Sequence, residues 1–306
     1  MTKIKAWLNA ARLRTLPLSV SGIIVGTALA KYHGKSDSLV FTLALLTTIG
    51  FQITSNFAND YGDGVKGTDN DTRIGPKRAL QAGLLSRKEL KNGIIISILI
   101  SLVFVGFLVF TAFGNEKLEY ILLFSVLGFL SIWAAIKYTV GDTAYGYKGL
   151  GDLFVFLFFG MLAVLGSMFL YTKFITLISI LPAIAIGLLC TAVLNLNNLR
   201  DYETDKKSQK NTLVVLMGFE NGKKYHYSLV LISFLCTVVF MGISFNNWLL
   251  YLPIIAFVLI FVHLFKVYNI KEPVLLDPEL KKLALSTFFL AVLIFSAVII
   301  KTKFKC

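Results

Sequence analysis

Two short polar clusters hold most of the chemistry visible in this sequence. The first is Asn56-Phe57-Ala58-Asn59-Asp60-Tyr61-Gly62-Asp63, with Asp69 and Asp71 beyond it. On a continuing helix, Asn56 and Asp60, and Asn59 and Asp63, are four residues apart, and Asp60 and Asp63 three apart, so their side chains share a face. The second cluster holds Asn195, Asn197, Asn198, Asp201, Glu203 and Asp205, where Asn197, Asp201 and Asp205 step by four. Carboxylates and amide oxygens on one helix face make a hard, all-oxygen site. Such a site suits Mg²⁺, which keeps several waters and is commonly completed by substrate phosphates. The bland alternative is a pair of solvated helix ends rich in turn-forming Asn and Asp. Against it, acids at a helix C-terminus oppose the macrodipole, and the same pattern occurs twice. The repetition also looks like the trace of an internal duplication.

Basic residues and glycines follow each cluster. Lys66, Arg73, Lys77 and Arg78 follow the first, with Gly62, Gly64, Gly67 and Gly75-Pro76; Lys206, Lys207 and Lys210 follow the second. Glycine lets backbone approach an anion, and Arg and Lys bind phosphate as fork and point charge. Carboxylate, Mg²⁺, diphosphate and Arg form a self-consistent set, because the cation bridges groups that otherwise repel. For any single lysine, topology-setting loop charge is the simpler reading. A third polar stretch, Lys137 to Asp152, includes Tyr138, Tyr145, Tyr147 and Lys148. Its tyrosine rings suit a cation-tolerant cavity or an aromatic interface belt.

The elements that carry these residues follow from composition. Of 306 residues, 56% are hydrophobic and only 15% charged, with a net charge of +13 and a mean hydropathy of +0.75. A soluble domain is about 25% charged, so a soluble enzyme and a disordered basic protein are both excluded. The positive charge is not a nucleic-acid footprint. A bilayer core takes roughly 20 apolar residues as helix. Runs free of Asp, Glu, Lys and Arg predict spans near 15–31, 38–59, 92–113, 119–137, 153–172, 174–199, 226–245, 248–265 and 283–301, the long run from Tyr225 to Phe265 being split at Asn246-Asn247. The expectation is one transmembrane domain over 1–306: an all-α polytopic membrane protein whose nine helices enclose a central cavity under cytoplasmic cap loops. The first apolar stretch reads as a span rather than a cleavable signal, since further spans follow it. Cys190 and Cys236 fall inside predicted spans, and the cysteines show no metal spacing.

Nine spans put 23 of the 30 basic residues on one side and seven on the other. The positive-inside rule makes the first side cytoplasmic. The protein is therefore expected in the plasma (inner) membrane, with its N-terminus and both clusters facing the cytoplasm. Lys301, Lys303 and Lys305 fall on the far side, where the count is least even. Fourteen of the 17 acids share the cytoplasmic side, although acids contribute little to topology.

Taken together, these strings resemble the UbiA-type intramembrane prenyltransferases, and more finely the branch that prenylates 1,4-dihydroxy-2-naphthoate. The resemblance rests on Ala11-Arg12-Leu13-Arg14-Thr15-Leu16-Pro17, on Asn56 to Asp63 with Gly67-x-Asp69, and on Gly75-Pro76-x-Arg78. It continues through Tyr138-Thr139-Val140-Gly141, Tyr145-Gly146-Tyr147-x-Gly149-Leu150-Gly151-Asp152 and Phe158-Phe159-Gly160. It ends with Asn197-Asn198-Leu199-Arg200-Asp201-x-Glu203-Thr204-Asp205-Lys206 and Lys210-x-Thr212-Leu213. Many family members carry a third Asp where Gly67 stands, and proline where Leu13 and Ala144 stand. The resemblance implies that Asp60, Asp63, Asp201 and Asp205, with Asn56 and Asn198, hold Mg²⁺ on a polyprenyl diphosphate. It implies that Lys66, Arg73, Arg78 and Lys148 neutralise the leaving diphosphate, and that Tyr138, Tyr145 and Tyr147 shield an allylic cation. Arg12 or Arg14 is the candidate for the acceptor's carboxylate. Another acceptor, such as 4-hydroxybenzoate or homogentisate, is the nearest alternative reading. A cation-coupled transporter is the remote one, since transporters place their acids near the bilayer midplane.

Overall fold

A computed structural model describes residues 2–69 and 74–304. Arg73 and Asp71 lie outside the described residues. Among the described residues there is no strand, and a lone parallel bridge joins Lys148 to Asn211. Nine helical segments among them are long and apolar enough to cross a membrane.

A short helix α1 (Lys3–Ala11) leads through a left-handed Arg12 (φ 49°) and one 3₁₀ turn into α2 (Leu16–Tyr32). Asp37 caps α3 (Ser38–Val65) by accepting from the Leu39 and Val40 amides. A Ser86/Glu89 capping box starts α4 (Arg87–Phe113), satisfying two otherwise orphaned amides. Lys3 pairs with that Glu89 at 2.5 Å, so α1 folds back over the start of α4. After α5 (Leu118–Lys137) and the Tyr145–Tyr147 turn, the fifth crossing begins as α6 (Gly151–Val155). It winds as a π-helix over Phe156–Gly166 and finishes as α7 (Ser167–Thr172).

The sixth crossing, α8 (Leu177–Arg200), lies at the centre of the packing. It is followed by α9 (Tyr202–Lys207), α10 (Leu213–Met217) and α11 (Phe219–Ser244), then by α12 (Ile254–Asn269) and α13 (Asp277–Phe304). Gly160 of the π-helical stretch meets Gly187 of α8 backbone to backbone; a Cβ at Gly160 would stand 2.9 Å from Ala183 O and overlap Gly187 Cα. Asn247, in the turn after α11, caps the next 3₁₀ turn through Leu249 N. Rows such as Ile95, Leu99, Val103 and Phe107 on α4 are exposed, as helix faces turned to lipid should be.

Long-range polar contacts gather at the end that carries the acid clusters. Examples are Lys210 with Asp63, Arg200 with Asp277, and Lys223 Nζ donating to Tyr268 O and Ile270 O. At the opposite end Lys301 Nζ donates to Ser244 O (2.6 Å) and Tyr32 Oη (3.2 Å), above the Tyr32 ring. That ammonium is satisfied locally.

Candidate active site

Helix α3 continues past the apolar run to Val65, so Asp60 and Asp63 are both helical and stand one turn apart. Asp60 is 1% exposed. Its Oδ2 accepts from Ala79 N (3.1 Å) and its Oδ1 from Leu80 N (3.4 Å), which pins the turn following Pro76-Lys77-Arg78. Asp63 Oδ1 accepts from the Tyr147 hydroxyl at 2.7 Å, and that hydroxyl also meets Thr68 Oγ1 at 2.6 Å. Gly62 faces Thr139: a Cβ there would lie 2.6 Å from Thr139 Oγ1. This close approach seats the Tyr138–Gly151 loop on α3.

Asn56 is directed elsewhere. Its Nδ2 donates to Ala11 O (2.8 Å) and Thr15 Oγ1 (3.2 Å), and its Oδ1 accepts from Gln52 Nε2 (3.1 Å). The side chain ties α3 to the break after α1, where Arg12 turns left-handed.

The second cluster straddles a helix break. Helix α8 stops at Arg200, Asp201 takes φ −91° and ψ 9°, and α9 resumes; Asp205 N still donates to Asp201 O at 2.8 Å. Asn198, Asp201 and Asp205 are all buried. Arg200 grips its neighbour with both arms, Nε to Asp201 Oδ1 at 2.8 Å and Nη2 to Oδ2 at 2.7 Å. Lys210 brings the clusters together: its Nζ is 3.5 Å from Asp63 Oδ2, and its backbone N donates to Asp205 O. Burial disfavours its charge, but Asp63, Asp205, Tyr147 and Asp201 outweigh that and hold its pKa above the ordinary lysine value. Burial, and next Asp63, push the Tyr147 phenol up, so it remains a donor.

Arg12, Arg14, Pro76, Lys77 and Arg78 line a cavity of about 280 Å³ between the N-terminal segment and the loop that Asp60 pins. The guanidinium Nε of Arg78 is 3.7 Å from Asp69 Oδ2. Lys66 Nζ lies 3.9 Å above the Tyr147 ring. Burial, and next Asp63, Asp152 and Asp205, push the Tyr138 phenol up. Tyr145 is anchored, donating to Ala134 O at 2.8 Å and stacking on Phe154 at 3.9 Å. Lys148 is exposed, and its backbone is bridged to Asn211.

Sequence reasoning gave no role to Arg200, Thr139 or Asp277, and set Lys210 among three equivalent lysines. An arginine placed directly before Asp201 at the end of an apolar helix was a usable signal, because a buried guanidinium requires a carboxylate. Nothing near Asp277 in sequence marks it.

Among the described residues, no three carboxylate, imidazole or thiol side chains lie close enough to hold a metal ion unaided. The donors nevertheless fit a hard divalent cation. Asp60, Asp63, Asp201 and Asp205 are buried acids, and a lysine ammonium stands between the clusters. Such an ion draws its remaining ligands from water and phosphate.

The UbiA prenyltransferase family model matches residues 19–293, a range that contains both clusters. The chain belongs to the UbiA prenyltransferase family. It is 44% identical over 293 residues to the 1,4-dihydroxy-2-naphthoate octaprenyltransferase of Haemophilus influenzae, covering 95% of this chain and 94% of that one. It is 44% identical over 282 residues to the Escherichia coli protein of the same description, covering 92% and 91%. Among solved structures, it superposes on a UbiA homolog from Archaeoglobus fulgidus bound to GPP and Mg²⁺ with a TM-score of 0.69. That match has 18% identity and covers 96% of this chain and 99% of the other. At that identity the likeness establishes the UbiA fold.

Proposed function

We propose that this UbiA-family chain transfers a polyprenyl group from polyprenyl diphosphate to 1,4-dihydroxy-2-naphthoate. Carbon dioxide is lost, and demethylmenaquinol, at the same oxidation level as the acceptor, and diphosphate are formed. The observation that carries the reading is the meeting of two buried acid clusters through Lys210, beside a cavity lined by Arg12, Arg14, Lys77 and Arg78. It agrees with the 44% identity to two relatives described by that activity.

Asp60, Asp63, Asp201 and Asp205 are the residues that would hold Mg²⁺, with Asn198 beside them. When bound, the cation neutralises diphosphate charge as the leaving group departs. The chain's own residues do the rest. Asp60 fixes the turn that carries Arg78 toward the leaving group. Lys210, Lys66 and Arg78 add positive charge where negative charge develops, which is electrostatic stabilisation by preorganised groups. Lys148, being exposed, is placed to meet diphosphate as it enters or leaves.

The allylic C–O bond breaks and its electron pair goes to diphosphate. The Tyr138 and Tyr147 rings face the resulting cation and exclude water from it, while Tyr145 holds their loop in place. The electron-rich ring carbon bearing the carboxylate then bonds to the allylic carbon. The carbon–carboxylate bond breaks, CO₂ departs, and its electron pair restores the aromatic ring. Arg12 and Arg14 hold the acceptor's carboxylate from the basic cavity until it leaves. The clusters face the cytoplasm of a bacterial inner membrane, where a charged diphosphate is delivered, while the prenyl tail remains in the bilayer.

Asp60→Ala and Asp201→Ala are each expected to abolish Mg²⁺-dependent transfer without preventing insertion. Near-normal turnover in either variant contradicts this assignment.

A further inference from the structure

Arg200 is 2% exposed, and its guanidinium donates to three residues. Two bonds go to Asp201, a third runs from Nη2 to Asn197 Oδ1 (2.9 Å), and a fourth from Nη1 to Asp277 Oδ1 (2.6 Å), across 77 residues of chain. Neighbouring residues on a continuous helix do not face each other. The fork reaches Asp201 because the helix breaks there. An isolated Arg200–Asp201 pair would be neutral and would cancel the charge that makes Asp201 useful to a cation. Asp277 changes this balance. With two carboxylates on one guanidinium, the group carries a net negative charge while Asp201 stays locked in orientation.

Asp277 keeps 43% of its side chain exposed beyond the Arg200 contact. It opens α13, where a carboxylate complements the helix N-terminal dipole. Two residues on, Glu279 is 3% exposed; its Oε2 lies 2.8 Å from His263 Nδ1, and His263 Nε2 lies 3.1 Å from His226 Nε2. This chain ties the first turn of α13 to α12 and α11. Through Asp277 the last crossing thus touches the second acid cluster.

We propose that Asp277 is a positioning residue for the second acid cluster: by holding Arg200 it sets the orientation and effective charge of Asp201. The inference rests on the reading of the clusters as a cation–diphosphate site.

The test uses the full-length purified protein. Mn²⁺ binding in the presence of inorganic diphosphate is followed by the electron paramagnetic resonance signal of free Mn²⁺, without turnover. Partners that orient metal ligands typically contribute 10- to 100-fold in affinity. Asp277→Asn is therefore expected to weaken Mn²⁺ binding by roughly tenfold. In turnover assays it raises the Mg²⁺ needed for half-maximal rate, while the acceptor KM stays within about twofold. Asp277→Glu, which keeps the charge, recovers most of the binding. In an Arg200→Gln background, Asp277→Asn has no further effect, because its action passes through Arg200. Wild-type Mn²⁺ affinity in Asp277→Asn overturns the proposal, and so does an equal loss in the Arg200→Gln background. If Asp277→Asn fails to fold, the Arg200→Gln and Asp277→Glu proteins decide: unchanged Mn²⁺ binding in Arg200→Gln, or loss of binding in Asp277→Glu equal to that of Arg200→Gln, overturns it. Wild-type protein that binds Mn²⁺ as described but transfers no prenyl group contradicts the proposed function and leaves this inference standing.

Discussion

Lys210 Nζ stands 3.5 Å from Asp63 Oδ2, and the two residues belong to the loop after one acid cluster and to the body of the other. The lysine is 8% exposed and Asp63 is 3% exposed. Breaking a buried ion pair by removing one partner costs about 3–5 kcal/mol. Lys210→Met is thus expected to lower stability by about 3 kcal/mol in Mg²⁺-free buffer. Mg²⁺ with inorganic diphosphate then raises the thermal midpoint more in the variant than in the wild type, because a second cation now relieves the unpaired acids. Thermal unfolding in detergent with and without the ion measures both effects. Equal stabilisation of the two proteins contradicts the placement of the ion among these acids.

Tyr147 donates to Asp63 at 2.7 Å while its ring lies beneath the Lys66 ammonium. Tyr147→Phe keeps the ring and removes the donor. A hydrogen bond to a charged group contributes about 1.5–3 kcal/mol, so kcat should fall by roughly 10- to 100-fold. Steady-state assays with saturating prenyl diphosphate test this; an unchanged kcat shows that the hydroxyl does not orient Asp63 for the reaction.

Asn56 separates two roles that spacing alone leaves together. Its amide nitrogen serves Ala11 O and Thr15 Oγ1. Asn56→Ala leaves those acceptors without their donor and should cost about 1–3 kcal/mol of stability, with the Mg²⁺ concentration for half-maximal rate moving less than about twofold. A large rise in that concentration, with stability unchanged, assigns Asn56 to the cation instead.

Much of this was legible in the sequence. Charge-free runs marked the crossings, because a bilayer leaves few other places for such residues, and the i,i+3 and i,i+4 steps put Asp60 and Asp63 on one face. The family resemblance rested on strings that, apart from Phe158-Phe159-Gly160 within the fifth crossing, carry the acid clusters or lie next to them. Other features depended on folding that local pattern does not encode. The partner of Asn56 is set by α1 turning back at Arg12. The partner of Arg200 lies on the last helix, and Tyr147 reaches Asp63 only because Gly62 lets the loop sit on α3. The basic cavity joins residues near position 12 to residues near 77, a meeting that follows from Asp60 pinning the Ala79–Leu80 turn.

The packing between the fifth and sixth crossings offers a prediction free of the chemistry. A Cβ on Gly160 would press on Ala183 O at 2.9 Å and on the Gly187 backbone. Overpacking costs about 1–3 kcal/mol, so Gly160→Ala should lower the thermal midpoint by several degrees. An unchanged midpoint means that the two backbones are not in contact.

The central claim is tested most directly by giving the purified protein Mg²⁺, labelled polyprenyl diphosphate and a panel of aromatic acceptors while CO₂ release is followed. The account predicts prenyl transfer to 1,4-dihydroxy-2-naphthoate with one CO₂ released per chain transferred, lost when Mg²⁺ is chelated. Transfer to a different acceptor with no CO₂ release, or no transfer at all, contradicts it.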